Sequence, residues 1–204
     1  MDIRRDYYFF HPFYLLTMFM KYSYSLMATC CLLLFSCADL KKDEQLKRIS
    51  KLEKTLDTIH QDREKNEIDT LTALKTSTNA VEIRIKTYLV LDTINLVLGK
   101  KMDAYKIMRR NLKPLGKQNS QLKTAILEER KTLKNLRVDI ENGSGSRDKY
   151  ESYILFEKNK IKQIQILFEE YLRLKNETLN TYRELHDELN QLSLALLRKH
   201  NLNH

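Results

Sequence analysis

The densest group of side chains able to do chemistry lies between residues 100 and 117. There Lys100, Lys101, Lys106, Arg109, Arg110, Lys113 and Lys117 face a single acid, Asp103. So many cations against one carboxylate make a local positive field. Its natural partners are phosphate- or carboxylate-bearing polymers and lipid head groups, attracted by about 1 kcal/mol per base near an anionic surface. The bland alternative is a solvated helix end whose bases complement the negative end of the helix dipole. Nucleic acid is not expected as a partner, because no reading motif accompanies the bases. The thiols Cys30, Cys31 and Cys37 all lie early and no cysteine follows them, which excludes a disulfide framework and a Cys-based zinc site from the rest of the chain. His60, His186, His200 and His204 are scattered. His200 and His204 stand four apart but have no carboxylate beside them, as expected for a solvated terminus. Gly-rich phosphate loops, paired metal motifs and nucleophile elbows are missing. These residues predict a non-enzymatic protein with no cofactor and no metal.

The elements that must carry this patch are helical. The chain has 204 residues, of which 31% are charged and 42% hydrophobic, with a formal net charge of +9 and only 4 Gly and 2 Pro. So few breakers argue against turn-rich β folds and βαβ repeats and favour long helices. A mean hydropathy of -0.52 excludes a polytopic membrane protein. Apolar residues recur at three- and four-residue spacing through Leu46, Ile49, Leu52, Leu56 and Ile59, then through Leu71, Leu74, Val81, Ile85 and Tyr88, and on into Leu91, Ile94, Leu98, Met102, Tyr105 and Leu112. Pro114 and Gly116 are expected to stop that second helix, with Asn119 or Ser120 capping a third. The third carries Leu122, Ile126, Leu133, Leu136 and Ile140. Asn142-Gly143-Ser144-Gly145-Ser146 is the clearest loop, and Asp148 is a candidate N-cap for a fourth helix reaching about His200.

The fourth helix has the strongest period. Ile154, Ile161, Ile164, Phe168, Tyr171, Thr178, Tyr182, Leu185, Leu189, Leu192 and Leu196 fall on one seam, interrupted by Glu157 and Lys175. The predicted fold is therefore all-α: an elongated antiparallel helical bundle or coiled coil of three to four long helices over 46–204, with turns near 113–118 and 142–147. A third helix of about 22 residues would leave the seam from Tyr182 to Leu196 to be covered by an earlier helix, or by a second copy in a homo-oligomer.

Ahead of the bundle, the run from Tyr22 to Phe35 carries no charge, follows Met20 and Lys21, and ends in Leu34-Phe35-Ser36-Cys37 before a charged stretch. Its length suits a signal h-region better than a membrane span. This segment resembles bacterial lipoprotein precursors, whose signals end in a lipobox of Leu, a variable residue, a small residue and Cys. The resemblance covers the export signal only. It implies a signal peptide over 1–36, lipidation of Cys37 with cleavage before it, and a lipidated tether over 37–45. The true start could be Met20, which would leave residues 1–19 untranslated. An uncleaved anchor helix reaching back towards Tyr7 is the competing reading. Ala38 after the lipidated Cys favours the outer over the inner membrane. Asp57-Thr58-Ile59, Asp69-Thr70-Leu71 and Asp92-Thr93-Ile94 resemble the acceptor of one bacterial O-glycosylation system, with Thr58, Thr70 and Thr93 as acceptors.

The expected function is a non-enzymatic, lipid-anchored cell-envelope protein that acts as a helical spacer or interaction scaffold, its membrane contact made through the lipid. The alternative is a surface-exposed lipoprotein that binds an anionic or macromolecular ligand, an envelope polymer or protein, through the basic patch 100–117 or the seam of 182–196.

Overall fold

The computed structural model describes residues 40–90 and 95–202. Cys37 and its lipobox, the preceding apolar run, Thr93 and His204 lie outside the described residues. Helix α1 spans residues 40–65, α2 Leu71–Tyr88, α3 Leu96–Asn142 and α4 Tyr150–Leu202. No strand occurs among the described residues.

The helices form three strands of a rod. The 47-residue α3 and 53-residue α4 make an antiparallel hairpin about 80 Å long at 1.5 Å per residue. The third strand is α1 followed by α2. Its α1 half runs antiparallel to α3, with Arg137 paired to Glu53 and Arg130 to Asp57, and parallel to α4, where Gln45 Nε2 donates to Glu151 Oε1 at 2.8 Å. Its α2 half continues in the same sense: Arg84 donates to Ser193 Oγ at 3.0 Å and to Asn190 Oδ1 at 2.7 Å on α4.

Three apolar clusters follow one another along the axis. Near the α3–α4 turn, Ile49, Leu136, Ile140, Tyr150 and Ile154 pack together. In the middle are Leu56, Leu115, Leu122, Ile126, Leu133, Ile161 and Phe168, among others. At the far end Val81, Ile85, Tyr105, Met108, Leu112 and Leu189 form the third cluster. Each such side chain contributes about 1.5–3 kcal/mol by leaving water, and together these stripes stabilise helices that would be marginal alone.

The α3–α4 turn falls where the glycines predict it. Gly143 takes φ 64, the left-handed conformation that glycine adopts freely. Its N–H reaches Ile140 O at 3.2 Å, and Ser144 N–H reaches Asp139 O at 2.8 Å. The Tyr150 hydroxyl donates to the same Asp139 carbonyl at 2.9 Å. Asp148 does not cap α4; it lies within a single 3₁₀ turn, Arg147–Lys149, that precedes the helix.

The expected turn at 113–118 is absent, because α3 runs unbroken through Pro114 and Gly116. Proline in a helix loses one i→i−4 hydrogen bond and crowds the preceding turn, at a cost of about 3 kcal/mol. Pro114 sits on the exposed face, where water can meet the freed carbonyl, while Leu112 and Leu115 on either side are locked in the core at 1% exposure. Gly116 is a close-approach seat: a Cβ there would lie 2.8 Å from Leu71 Cδ2. Asn119 and Ser120 are accordingly interior residues of α3, not caps.

Two breaks occur instead where no Gly or Pro marks them. Helix α2 ends at Leu89, which is extended at ψ 107. Helix α3 then starts from Asn95, whose side chain accepts from Leu98 N–H at 3.0 Å. Between α1 and α2, the turn at 66–70 is held by long-range partners. Tyr171 Oη donates to Asn66 O at 2.8 Å, and Lys175 Nζ to Asn66 Oδ1 at 2.9 Å. Arg63, 1% exposed, donates to Asn119 Oδ1 at 2.8 Å, and Asn119 donates to Glu67 Oε1 at 2.9 Å. Lys175, an interruption in the apolar seam, thus serves the turn, and burial pulls its pKa down.

The expected tether over 37–45 is also revised, because α1 already includes residues 40–45. Gln45 is buried at 4% exposure and tied to Glu151, so that stretch belongs to the bundle.

Candidate functional site: the basic face of α3

Because α3 is continuous from Leu96 to Asn142, the bases between 100 and 117 lie in its N-terminal half, far from its C-terminus, and the alternative of a solvated helix end complementing the negative end of the dipole falls away. The helix sorts them by face. Lys101 turns towards α4, where its Nζ lies 2.6 Å from Glu188 Oε2. Arg109 turns towards α2, pairing with Glu82 and donating to Asn79 Oδ1 at 3.3 Å. Glu82 is 8% exposed and is also 2.6 Å from Lys86. Burial pushes its carboxyl pKa up, but Lys86 and Arg109 outweigh that and hold it below the ordinary value. These two members of the patch are structural.

Lys106, Arg110, Lys113 and Lys117 stand at i, i+4, i+7 and i+11, one stripe of a 3.6-residue helix. They form no ion pair among the described residues, nor does the exposed Lys100. Lys113 also lines a shallow groove of about 570 Å³ between α2 and α3, with Lys75, Thr76, Asn79, Ile83 and Arg109. The arrangement presents a row of ammonium and guanidinium groups of the kind that attract phosphate or carboxylate.

The other predicted features are dispersed. Tyr182, Leu185, Leu189 and Leu192 pack on Val81, Ile85, Tyr105, Met108 and Leu112, so the seam from Tyr182 to Leu192 is covered by α2 and α3, and Leu196 at its end is half-buried. His186 is stacked on Tyr182 with centroids 4.4 Å apart, and its Nδ1 lies 2.6 Å from Tyr105 Oη. Burial lowers the His186 pKa and raises that of Tyr105, so the phenol keeps its proton and donates it to a neutral imidazole. His60 Nε2 is 3.5 Å from Glu64, and the His200 ring lies 4.8 Å from that of Tyr88. No group of three or more His, Cys, Asp or Glu suited to a metal occurs among the described residues. Thr58 is exposed on α1 with its hydroxyl donating to Lys54 O at 3.0 Å, and Thr70 is the exposed N-cap of α2.

Among the buried polar residues that sequence reasoning passed over, one group is charge-unbalanced. Glu129 on α3, 2% exposed, and Glu157 on α4, 7% exposed, flank Lys160, whose Nζ lies 2.8 Å from one carboxylate and 2.9 Å from the other. Two carboxylates and one ammonium are electrically balanced only when one carboxyl holds a proton. Burial and the neighbouring Glu157 accordingly push Glu129 up to about 7, against the pull of Lys160. The Lys160 pKa rises too: burial lowers it, and the two carboxylates more than compensate. The available signal was Glu129 sitting at core spacing between Ile126 and Leu133, opposite the Glu157 interruption of the α4 seam.

Among the described residues no helix is long and apolar enough to cross a membrane. Comparison of the chain with protein-family models, with curated proteins and with solved structures finds no match.

Proposed function

We propose that the protein is a non-enzymatic, lipid-anchored envelope protein whose three-stranded helical rod acts as a spacer or interaction scaffold. The observation that carries this reading is the uncharged run ending in Leu34-Phe35-Ser36-Cys37 only a few residues ahead of α1. A lipid on Cys37 would hold one end of the rod at a bilayer, since each buried acyl methylene contributes about 0.8 kcal/mol and two or three chains make attachment durable. The outer membrane is the favoured site, on the strength of Ala38.

The test is mass spectrometry of the mature N-terminus together with fractionation of Cys37→Ala. An acylated chain beginning at Cys37, and an uncleaved precursor in the variant, are the expected results. A chain that begins upstream of Cys37 without acyl groups would overturn the reading.

A second reading is favoured by the unpaired stripe Lys106, Arg110, Lys113 and Lys117: a surface-exposed lipoprotein that holds an anionic envelope polymer along α3. Protease shaving of intact cells separates the two, because full protection removes surface display.

A further inference from the structure

The side of α4 that meets solvent near the start of the helix carries four large apolar side chains. Leu155, Phe156, Ile166 and Leu167 are 46–60% exposed. Leu155 and Ile166 are eleven residues apart, three turns of a 3.6-residue helix, and so are Phe156 and Leu167. The four therefore form two rows along one face. Ser152, Asn159, Gln163 and Glu170, all exposed, run between the rows. Among the described residues no other helix sets four exposed large apolar side chains on one face. This face is separate from the seam of Tyr182 to Leu196.

The face is self-complementary about Ile161. Asn159 and Gln163 each stand two residues from it, and Ser152 and Glu170 each nine. Leu155 and Ile166 stand six and five residues from it, as do Leu167 and Phe156. A two-fold axis at that level, relating two antiparallel copies of α4, brings Leu155 to Ile166 and Phe156 to Leu167, each pair level to within one residue rise, about 1.5 Å. The same axis sets the Asn159 amide opposite the Gln163 amide and the Ser152 hydroxyl opposite the Glu170 carboxylate, donor against acceptor each time. A parallel pair would set Glu170 against its own counterpart, and like carboxylates repel. A bilayer fits less well, because Asn159 and Gln163 lie between the apolar rows and would enter the acyl layer without partners.

We propose that this face of α4 binds a second copy of the chain, antiparallel, with Leu155 and Phe156 of one copy packed on Ile166 and Leu167 of the other. From Ser152 to Glu170 the face is about 27 Å long and about 10 Å across. That is small beside the roughly 800 Å² per partner of a stable interface, so the dimer is weak, with a Kd of about 10–1,000 μM. The pairing is independent of the lipid on Cys37.

The test is photo-cross-linking of the full chain, at about 200 μM, with benzoylphenylalanine in place of Phe156. Dimer is read on denaturing gels and the cross-link is mapped by mass spectrometry. The expected product joins position 156 to the stretch 163–170 of the second copy. Association through the apolar N-terminal run is common to all variants and does not map to this stretch. Leu155→Glu with Ile166→Glu sets like charges against each other across the two-fold and should lower the yield of this product at least about tenfold. Leu155→Lys with Ile166→Glu sets opposite charges there and should keep at least about half of it. Circular dichroism melts check that the variants fold; if the double glutamate does not, Leu155→Lys with Ile166→Lys takes its place. No dimer, a cross-link between the two copies of position 156, one to another stretch or to another molecule, lipid or protein, or equal yields from the like-charge and opposite-charge variants would each overturn the proposal.

Discussion

Replacing Glu129 by Gln removes the one carboxyl whose ionisation unbalances the buried Glu129–Lys160–Glu157 group. The fold raises this carboxyl from an ordinary 4.5 to about 7. A folded-state pKa above the unfolded one means that the native protein keeps a proton the unfolded chain has released. The stabilisation is therefore fully present below about pH 4.5, declines as pH rises, and is gone above about 7. That displacement corresponds to at most ~3 kcal/mol. Lys160 is 37% exposed, so water and salt reach the group, and about 2 kcal/mol is the working figure. Urea unfolding followed at 222 nm should show wild-type stability dropping by this amount between pH 5 and 8 relative to Glu129→Gln. The glutamine variant should fall within about 1 kcal/mol of wild type at pH 5 and exceed it by about 2 kcal/mol at pH 8. Parallel pH curves for the two proteins would refute the reasoning, because a Glu129 that ionises freely in the folded state has no buried charge to relieve.

Two further outcomes follow from the helix pattern. Pro114→Ala restores a missing backbone hydrogen bond inside a continuous helix, so it should stabilise the rod by about 1–3 kcal/mol in thermal melts; a neutral or destabilising result would favour a turn at 113–118. Leu189→Ala empties a core position that is 1% exposed and should cost about 2–5 kcal/mol with no change in sedimentation behaviour, whereas a shift in oligomeric state would mean that the seam of α4 faces another copy.

Helix content was legible in the sequence because it is local: four glycines, two prolines and a sustained 3.6-residue period leave the backbone few alternatives. The turn at Gly143 was legible for the same reason, since φ 64 is a conformation that glycine reaches without a steric penalty. The face of α4 was also readable, and Ile154, Ile161, Phe168, Tyr171 and Leu189 are buried as their spacing requires.

The positions of the other breaks were decided by tertiary contacts. Pro114 and Gly116 are the strongest local breakers in that part of the chain, yet burial of Leu112 and Leu115 and the approach of Leu71 to Gly116 outweigh the lost hydrogen bond. The real breaks at 66–70 and 89–95 contain no Gly or Pro. The first depends on Tyr171, Lys175, Asn119 and Arg63, brought in from distant segments.

The same holds for the charged residues. Composition revealed the excess of bases between 100 and 117, but only the packing of α2 and α4 against α3 turns Lys101 and Arg109 inward to Glu188 and Glu82 and leaves Lys106 half-buried and Arg110, Lys113 and Lys117 exposed. A local sequence window fixes dihedral preferences and the face a residue occupies. Which opposite charge it meets depends on the register between helices, and that is set by side chains far apart in the chain.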